Sequence, residues 1–263
     1  MNKPVQENLK SGRMQGYILG SGTCVPSLTR HPCAALIHTD ECTVLLDAGP
    51  GTMGQLLKLG VTIDEIDMIC LSHFHLDHCA EIAPFLFATK YPGFDRTRPL
   101  TLTGGPGLTD WFERLSRAFN RSIEMPAEQF SLVEVSEDGQ MDFRGLNISH
   151  IPMAHKPESM GYRFTDKTGF SLVYSGDTDV TENLVRLAAG ADILICESAM
   201  PDGMKMPGHL TPALAGEMAQ KAGVGKLVLT HFYPECSTVD VVAQCRKAFS
   251  GEVVAAADLM VLH

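Results

Sequence analysis

Three histidines and an aspartate fall within six consecutive residues of this 263-residue chain, from His73 to His78. They follow an apolar run, residues 68 to 71, that is typical of a buried strand. Because side chains alternate along an extended chain, His73 and His75 point to one face. Asp77 and His78 lie where the chain turns toward a helix, and they can face a second point nearby. Imidazoles and carboxylates are common zinc ligands, so the segment predicts two adjacent divalent cations and not a solvated turn.

Three more candidate ligands lie later in the chain, each directly after an apolar or β-prone run: His155, Asp177 and His231. The pattern H-x-H-x-D-H, followed by these residues in this order, resembles the metallo-β-lactamase superfamily. The resemblance covers the chain from about Gly16 to about Ala257. It implies the α/β fold of that family, a four-layer αββα sandwich of two mixed β-sheets flanked by helices.

The resemblance also implies how the ligands are divided between two metal ions. The first ion would be bound by His73, His75 and His155. The second ion would be bound by Asp77, His78 and His231. The carboxylate of Asp177 would bridge the two ions. A water molecule shared by such metals loses a proton near neutral pH. Two divalent ions are therefore the expected cofactors. Zn²⁺ is the first choice, and Mn²⁺ or Fe²⁺ accept the same ligands.

Each later ligand has a competing interpretation. His150 lies five residues before His155 and could replace it, although His155 is followed by the Lys-Pro pair that matches the family. Asp177 follows a Ser-Gly pair and could form an Asx-turn. His231 could be a buried histidine at a strand end. The order of the three residues favours the ligand role.

Further stretches resemble the ribonuclease Z-like branch of the superfamily: residues 19 to 23, residues 45 to 52 and residues 208 to 211. In that branch a histidine at the position of His209 acts near the scissile phosphate, and an acidic residue that matches Glu197 orients it. His209 could instead cap the helix that follows it.

The resemblance assigns roles to two aspartates as well. Asp77 would orient the attacking hydroxide, which makes it a catalytic residue together with His209 and Glu197. Asp47 would be structural and would hold the metal-bearing loop by hydrogen bonds.

One departure from the branch bears on the substrate. Ribonuclease Z carries a long basic arm between the ligands that match His155 and Asp177, and it grips tRNA with that arm. Here only 21 residues separate the two, enough for a hairpin. The net charge of −10, from 31 acidic and 21 basic residues, repels a polyanion unless one face is locally basic. A small anionic substrate is expected, and a long nucleic acid is not.

Composition predicts a disordered tail, residues 1 to 13, and a single domain, residues 14 to 263. The tail has no apolar core for a signal peptide, and no apolar run approaches the length of a membrane span. The eight cysteines are scattered without a C-x-x-C pair, which indicates reduced thiols and a cytoplasmic protein. Cys79, beside His78, is expected to pack and not to bind metal. A homodimer is expected from the habit of the family.

Apolar periodicity predicts helices over residues 80 to 89, 108 to 119, 181 to 189, 211 to 222 and 238 to 249. Residues 90 to 98 are predicted to form an aromatic loop that either covers the cleft or packs against the sheet.

Together these features predict a dinuclear metal-dependent hydrolase of small phosphodiesters, cyclic or aryl, whose nucleophile is a metal-bridging hydroxide. The alternative is hydrolysis of an ester, thioester, lactone or sulfate ester by the same site. A non-catalytic metal-binding protein is less favoured, because such relatives usually lose ligands and none is lost here.

Overall fold

The computed structural model describes residues 13–91, 96 and 98–262. The predicted tail lies outside these residues except for Arg13, whose guanidinium lies 3.5 Å from the centroid of the Phe170 ring. Residues 92 to 95 and 97 of the predicted aromatic loop, and His263, also lie outside the described residues.

Two sheets of seven strands each form the centre of the molecule. The strands of the first sheet are β1 (Gln15–Gly20), β2 (Ala34–His38), β3 (Thr43–Leu46), β4 (Met68–Cys70), β5 (Leu100–Gly104), β6 (Phe130–Glu134) and β14 (Val261–Leu262). Their spatial order is β14-β1-β2-β3-β4-β5-β6, antiparallel from β14 to β3 and parallel from β3 to β6.

The second sheet repeats this half-antiparallel, half-parallel arrangement. Its strands are β7 (Gly139–Phe143), β8 (Leu146–Pro152), β9 (Met160–Thr165), β10 (Ser171–Tyr174), β11 (Ile193–Glu197), β12 (Lys226–Thr230) and β13 (Glu252–Ala255). Strands β7 to β10 pair antiparallel, and β10 to β13 pair parallel. The two mixed sheets confirm the fold class predicted from the sequence.

Helices lie on the outer faces of both sheets. They are α1 (Thr52–Lys58), α2 (Leu76–Cys79), α3 (Ile82–Ala88), α4 (Leu108–Ala118), α5 (Glu182–Ala188), α6 (Pro212–Ala222) and α7 (Val241–Cys245), with 3₁₀ turns at Ile63–Glu65 and Pro234–Thr238. The predicted helix over residues 238 to 249 is wrong in length. The chain enters α7 only after Asp240, whose carboxylate caps the helix by accepting from the Ala243 N–H at 2.8 Å.

The apolar residues of the first sheet divide by the two-residue period of a strand. Ala35 and Ile37 of β2 belong to the core that the two sheets share, whereas Leu36 packs with the helix side. Strand β3 repeats the pattern, with Val44 in the shared core and Leu45 on the helix side. Continuous burial along these strands explains why they read as unbroken apolar runs in the sequence. The prediction of one domain over residues 14 to 263 stays a prediction, and this shared core supports it.

Parallel strands place their carboxyl ends at one edge of each sheet, and polar residues follow these ends. In the first sheet they are Asp47 after β3 and His73 after β4; in the second they are Asp177 after β10, Glu197 at the end of β11 and His231 after β12. Because the sheets face each other, these residues meet at one edge of the sandwich.

The buried carboxylate of Asp67 links the two sheets by hydrogen bonds. Asp67 is fully buried and accepts hydrogen bonds from the Thr43 N–H at 2.9 Å, Arg98 Nη2 at 2.8 Å and Arg144 Nη1 at 2.7 Å. Arg144 follows β7 of the second sheet, so its bond crosses between the layers. A buried charge is tolerated only when it is paired in this way.

We expect Asp67→Ala to lower the free energy of unfolding by about 2–3 kcal/mol, because the Thr43 N–H loses its buried acceptor and two arginines lose their partner. Urea unfolding measures this loss. Asp110→Ala is the matched control, because Asp110 also pairs with an arginine but both side chains are at least 65% exposed. The control should cost less than about 0.5 kcal/mol. Equal losses in the two variants would contradict this role of Asp67.

Candidate metal centre

The structure brings all seven predicted ligands together at the strand ends. The segment after β4 supplies His73 and His75, and the short helix α2 turns Asp77 and His78 toward the second sheet. The other three follow β8, β10 and β12: His155, Asp177 and His231. His73, His78, Asp177 and His231 are buried, with at most 2% exposure.

The first group consists of three imidazoles and a carboxylate. One ligand atom from each of His73, His75, His155 and Asp177 lies within 4.8 Å of the others. Nε2 of His155 lies 3.3 Å from Nδ1 of His75. Oδ2 of Asp177 lies 3.5 Å from Nε2 of His73 and 3.8 Å from Nε2 of His155.

The second group lies on the other side of the same carboxylate. Oδ1 of Asp177 lies 3.3 Å from Nε2 of His78 and 3.4 Å from Nε2 of His231. Oδ2 of Asp77 lies 3.4 Å from Nε2 of His231 and 3.9 Å from Nε2 of His78. The two oxygens of Asp177 therefore face two different groups of ligands.

These residues fit divalent cations. Two ligands of a tetrahedral zinc ion lie about 3.3 Å apart when each is about 2.0–2.1 Å from the metal. The shortest distance between two candidate ligand atoms is 3.3 Å in each group. Among the described residues, the buried atoms without a hydrogen-bond partner include Nε2 of His73, Nε2 of His78 and Oδ1 of Asp177. Buried polar atoms rarely lack partners, so these three are suited to metal ligation.

Hydrogen bonds at the outer nitrogens fix the imidazoles. Nδ1 of His78 donates to Oδ2 of Asp47 at 2.6 Å, and Nδ1 of His155 donates to the Gly208 carbonyl at 2.9 Å. Nδ1 of His73 contacts the Ser72 hydroxyl at 3.0 Å. Each bond occupies Nδ1 and leaves Nε2 directed into the site, as is typical of metal-binding histidines.

The backbone near the site takes unusual conformations. Asp47 and His231 have φ values of +55° and +62°, which residues other than glycine seldom adopt. Gly176, directly before Asp177, has φ +56°, and a Cβ there would lie 2.4 Å from Cβ of Ser72. Only glycine lets β10 pass so close to the segment after β4.

Burial and neighbouring charges set the protonation of the ligands. Burial lowers the pKa of His73, His75 and His155, which favours neutral imidazoles with a free lone pair. Burial alone would raise the pKa of Asp177, but His231 and His78 outweigh it and hold that pKa well below its usual range. The first group therefore presents an ionised carboxylate among neutral imidazoles.

His209 and Glu197 form a buried pair beside these groups. Nδ1 of His209 donates to Oε1 of Glu197 at 3.0 Å. Burial lowers the pKa of His209, yet the hydrogen bond and charge of Glu197 raise it above its ordinary 6.5. Burial raises the pKa of Glu197. The His209 ring stacks on the His231 ring, with centroids 5.5 Å apart.

The helix after His209 has a different cap. Thr211, not His209, caps α6 by accepting from the Leu214 N–H. The carboxylate of Glu197 also accepts hydrogen bonds from two backbone N–H groups, those of Thr178 at 2.9 Å and Leu210 at 3.1 Å.

Other candidates lie apart from these two groups. His150, the competitor of His155, lies on β8, and its Nδ1 donates to the Glu137 carbonyl at 3.0 Å. Nδ1 of His31 lies 2.7 Å from Oδ2 of Asp258. Cys79 packs in the apolar cluster on the helix side, as expected.

Sequence reasoning missed three residues at the site. Cys33 is buried, and its thiol lies close enough to His78 and His231 to form a third possible metal group. The Tyr174 hydroxyl donates to Oδ2 of Asp47 at 2.6 Å, and the Ser72 hydroxyl donates to the same atom at 2.8 Å. Nothing in the local sequence marks these residues, because their contacts join parts of the chain that are distant in sequence.

The 21 residues between His155 and Asp177 form only a loop and the hairpin of β9 and β10. Residues 166 to 170 connect the two strands, and Oδ1 of Asp166 accepts from the Thr168 N–H at 2.8 Å in that turn. The expectation that no arm is inserted here is confirmed.

Known proteins resemble this chain over most of its length. The family model described as "Beta-lactamase superfamily domain" matches residues 42–232. Protein Rv1339 of Mycobacterium tuberculosis is 34% identical over 216 residues, which is 80% of this chain and 77% of that protein. Ribonuclease Z of Streptomyces avermitilis is 29% identical over 286 residues, covering 92% of this chain and 95% of its own.

A solved structure agrees with these matches. The metallo-beta-lactamase fold protein YhfI from Bacillus subtilis superposes with a TM-score of 0.80 and 24% identity, over 95% of this chain and 98% of that one. The family match and the fold lead to one conclusion: this chain belongs to the metallo-β-lactamase superfamily, and it resembles the ribonuclease Z-like branch without the arm.

Proposed function

We propose that this protein hydrolyses small phosphodiesters at a centre of two divalent metal ions. The position of Asp177 carries the proposal. Its Oδ2 faces His73 and His155. Its Oδ1 faces His78 and His231, so one carboxylate can serve both groups. Two cations held in this way would supply charge stabilisation at phosphorus and an acidified water near neutral pH.

Asp77 orients the attacking water. Its carboxylate is partly exposed to the cleft, with 15% of the side chain accessible, and Oδ2 lies 3.4 Å from Nε2 of His231. Burial would raise the pKa of Asp77, but His231 and His78 lower it below its usual range. An ionised carboxylate accepts a hydrogen bond from the water and aims it at phosphorus.

His209 donates a proton to the leaving oxygen. Glu197 holds Nδ1 of His209, which leaves Nε2 as the nitrogen available to a substrate. The raised pKa keeps this imidazole protonated nearer to neutral pH. An alkoxide leaving group needs such a proton, whereas p-nitrophenolate leaves readily without one.

Substrate size follows from the short hairpin and the charge. The net charge of −10 disfavours a long polyanion, and the hairpin offers no grip on tRNA. Ribonuclease Z among the relatives favours phosphodiester chemistry over ester, thioester, lactone or sulfate ester hydrolysis. Among the helices of residues 13–91, 96 and 98–262, none has the length and apolarity to cross a membrane. Zinc, a homodimer and a cytoplasmic location stay predictions.

We expect His155→Ala to lower the bound metal from two ions per chain toward one, because the first group loses an imidazole. Elemental analysis of dialysed protein measures this. His150→Ala is the matched control, since each histidine donates Nδ1 to one backbone carbonyl, and it should keep both ions. Equal metal loss from the two variants would contradict the assignment of His155.

We expect the metal-loaded protein to hydrolyse bis(p-nitrophenyl) phosphate and 2′,3′-cyclic nucleotides, and chelation to abolish both activities. Asp77→Ala should lower kcat/KM by about 10²–10⁴-fold, the range for a positioned proton-transfer group. Asp110→Ala on α4 should leave it unchanged. A panel of lactones, thioesters and sulfate esters runs alongside. Turnover of one of these classes without any phosphodiester turnover would overturn the proposal.

We expect kcat for a 2′,3′-cyclic nucleotide to fall as pH rises through the raised pKa of His209, because the proton donor is then lost. Glu197→Gln removes the charge that raises this pKa, so the fall should move to lower pH by about one unit, equivalent to about 1.4 kcal/mol. The pH profile of kcat measures the shift.

Two controls accompany the pH profile. Glu252→Gln changes an acidic side chain that is 60% exposed, and it should leave the profile in place. Bis(p-nitrophenyl) phosphate should not show the alkaline fall, because its leaving group needs no proton. A Glu197→Gln variant with lower kcat but an unmoved profile would limit Glu197 to a structural role.

A further inference from the structure

A cavity of about 180 Å³ lies between two loops next to the metal centre. One wall is the loop after β1, with Gly22, Thr23 and Arg30 among its lining residues. The opposite wall is the segment after β12, which includes Tyr233 and Ser237. The two walls are joined, because the Phe232 N–H donates to the Ser21 carbonyl at 3.0 Å.

Tyr233 connects the cavity to the candidate metal centre. Its ring meets the ring of His231 edge-on, with centroids 5.9 Å apart. His231 is a ligand in the second group, so the cavity begins one side chain away from it. A phosphodiester at the metals could therefore place one of its two ester substituents in this cavity.

The lining combines flat apolar surfaces with hydroxyl groups. The flat apolar surfaces are the rings of Pro26, Tyr233 and Pro234. The hydroxyl groups are those of Thr23, Ser27, Thr29 and Ser237. Among the described residues that line the cavity, Arg30 is the one charged side chain. Its Nη1 donates to Ser21 Oγ at 2.6 Å and to the Ala256 carbonyl at 2.7 Å, and its guanidinium lies over the Phe232 ring.

Size and chemistry together indicate the occupant. An apolar cavity of about 150 Å³ holds one benzene ring, so this cavity suits a flat ring that keeps one edge in the mouth. The hydroxyls keep hydrogen-bonding capacity beyond their bonds within the protein. An aliphatic chain would not use that capacity, whereas a heterocycle presents donors and acceptors along its edge. The fixed cation of Arg30 suits the carbonyl or ring-nitrogen acceptors of such an edge.

We propose that this cavity binds the base of a nucleoside phosphodiester, which makes Tyr233 and the two loops the determinants of substrate choice. This inference rests on the proposed function, because the metal centre would hold the phosphate of the same molecule. Contact of a base with an aromatic side chain is worth enough to change affinity about 10- to 100-fold.

The test compares uridine 2′,3′-cyclic monophosphate with methyl riboside 2,3-cyclic phosphate, which has the same reacting group and no base. The metal-loaded wild type should prefer the nucleotide about 10- to 100-fold in kcat/KM. Ser237→Trp should fill the cavity and bring this ratio close to one. Tyr233→Leu should lower the ratio mainly through KM of the nucleotide.

Ser250→Trp is the matched control for Ser237→Trp. Both serines are exposed, and each hydroxyl donates one hydrogen bond: Ser237 to the Pro234 carbonyl at 2.6 Å and Ser250 to Oε1 of Gln220 at 3.0 Å. Ser250 lies outside the cavity, so its variant should keep the wild-type ratio. Equal loss of both substrates in Ser237→Trp and Tyr233→Leu would overturn the proposal.

A binding measurement separates this proposal from the proposed function. Calorimetry with uridine 3′-monophosphate and methyl riboside 3-phosphate needs no turnover. Tighter binding of the nucleotide, lost in Ser237→Trp but kept in Ser250→Trp, would support the cavity even if no phosphodiester were hydrolysed. Equal affinity of wild type for both compounds would sink the cavity proposal, whatever the protein hydrolyses.

Discussion

The carboxylate of Asp47 is the point on which the candidate metal centre depends. It is fully buried at the end of β3 and accepts from the Ser72 N–H at 2.6 Å, the Ser72 hydroxyl at 2.8 Å, Nδ1 of His78 at 2.6 Å and the Tyr174 hydroxyl at 2.6 Å. These donors come from the segment after β4 and from β10 of the other sheet. One charge thus fixes the distance between the sheets where the ligands meet. Because a buried charge is costly without partners, the sheets cannot separate here without exposing or orphaning it.

The electrostatics of the site favour a cation in its middle. Asp47, Asp177 and Glu197 are three buried carboxylates within one small region. Burial keeps His73, His75 and His155 neutral, so they do not neutralise these charges. The charges of Asp177 and Asp47 instead raise the pKa of His78 well above its usual value, even though burial opposes this. Divalent cations would relieve the same imbalance, which explains why an arrangement so rich in buried charge is built at one edge of the sandwich.

The sequence predicts well which candidate ligands lie together and predicts their surroundings poorly, for a physical reason. The H-x-H-x-D-H segment and the strand-end positions of Asp177 and His231 are local patterns, and each is visible within ten residues of chain. Contacts such as Tyr174 to Asp47 join residues 127 positions apart and leave no local trace. The predicted last helix is too long because apolar spacing continues past Cys245 and does not register Asp240, whose side chain caps the helix through the Ala243 N–H. The two-residue strand β14 is too short for any periodicity.

Because only a short hairpin lies between His155 and Asp177, we expect the walls of the cleft to select the substrate. An arm would recognise a large substrate from outside, far from the metals. Without it, the phosphodiesterase that we propose would discriminate by surfaces within reach of the reacting phosphate, and such surfaces act on small molecules. The loop after β1 and the segment after β12 are walls close to His231, and a backbone hydrogen bond from the Phe232 N–H to the Ser21 carbonyl joins them. Because β12 also positions His231, a substrate group bound between these walls, as we propose, would be held in register with the second group of candidate ligands. Binding and chemistry would then share one rigid element, which is how a small site gains selectivity without a separate recognition domain.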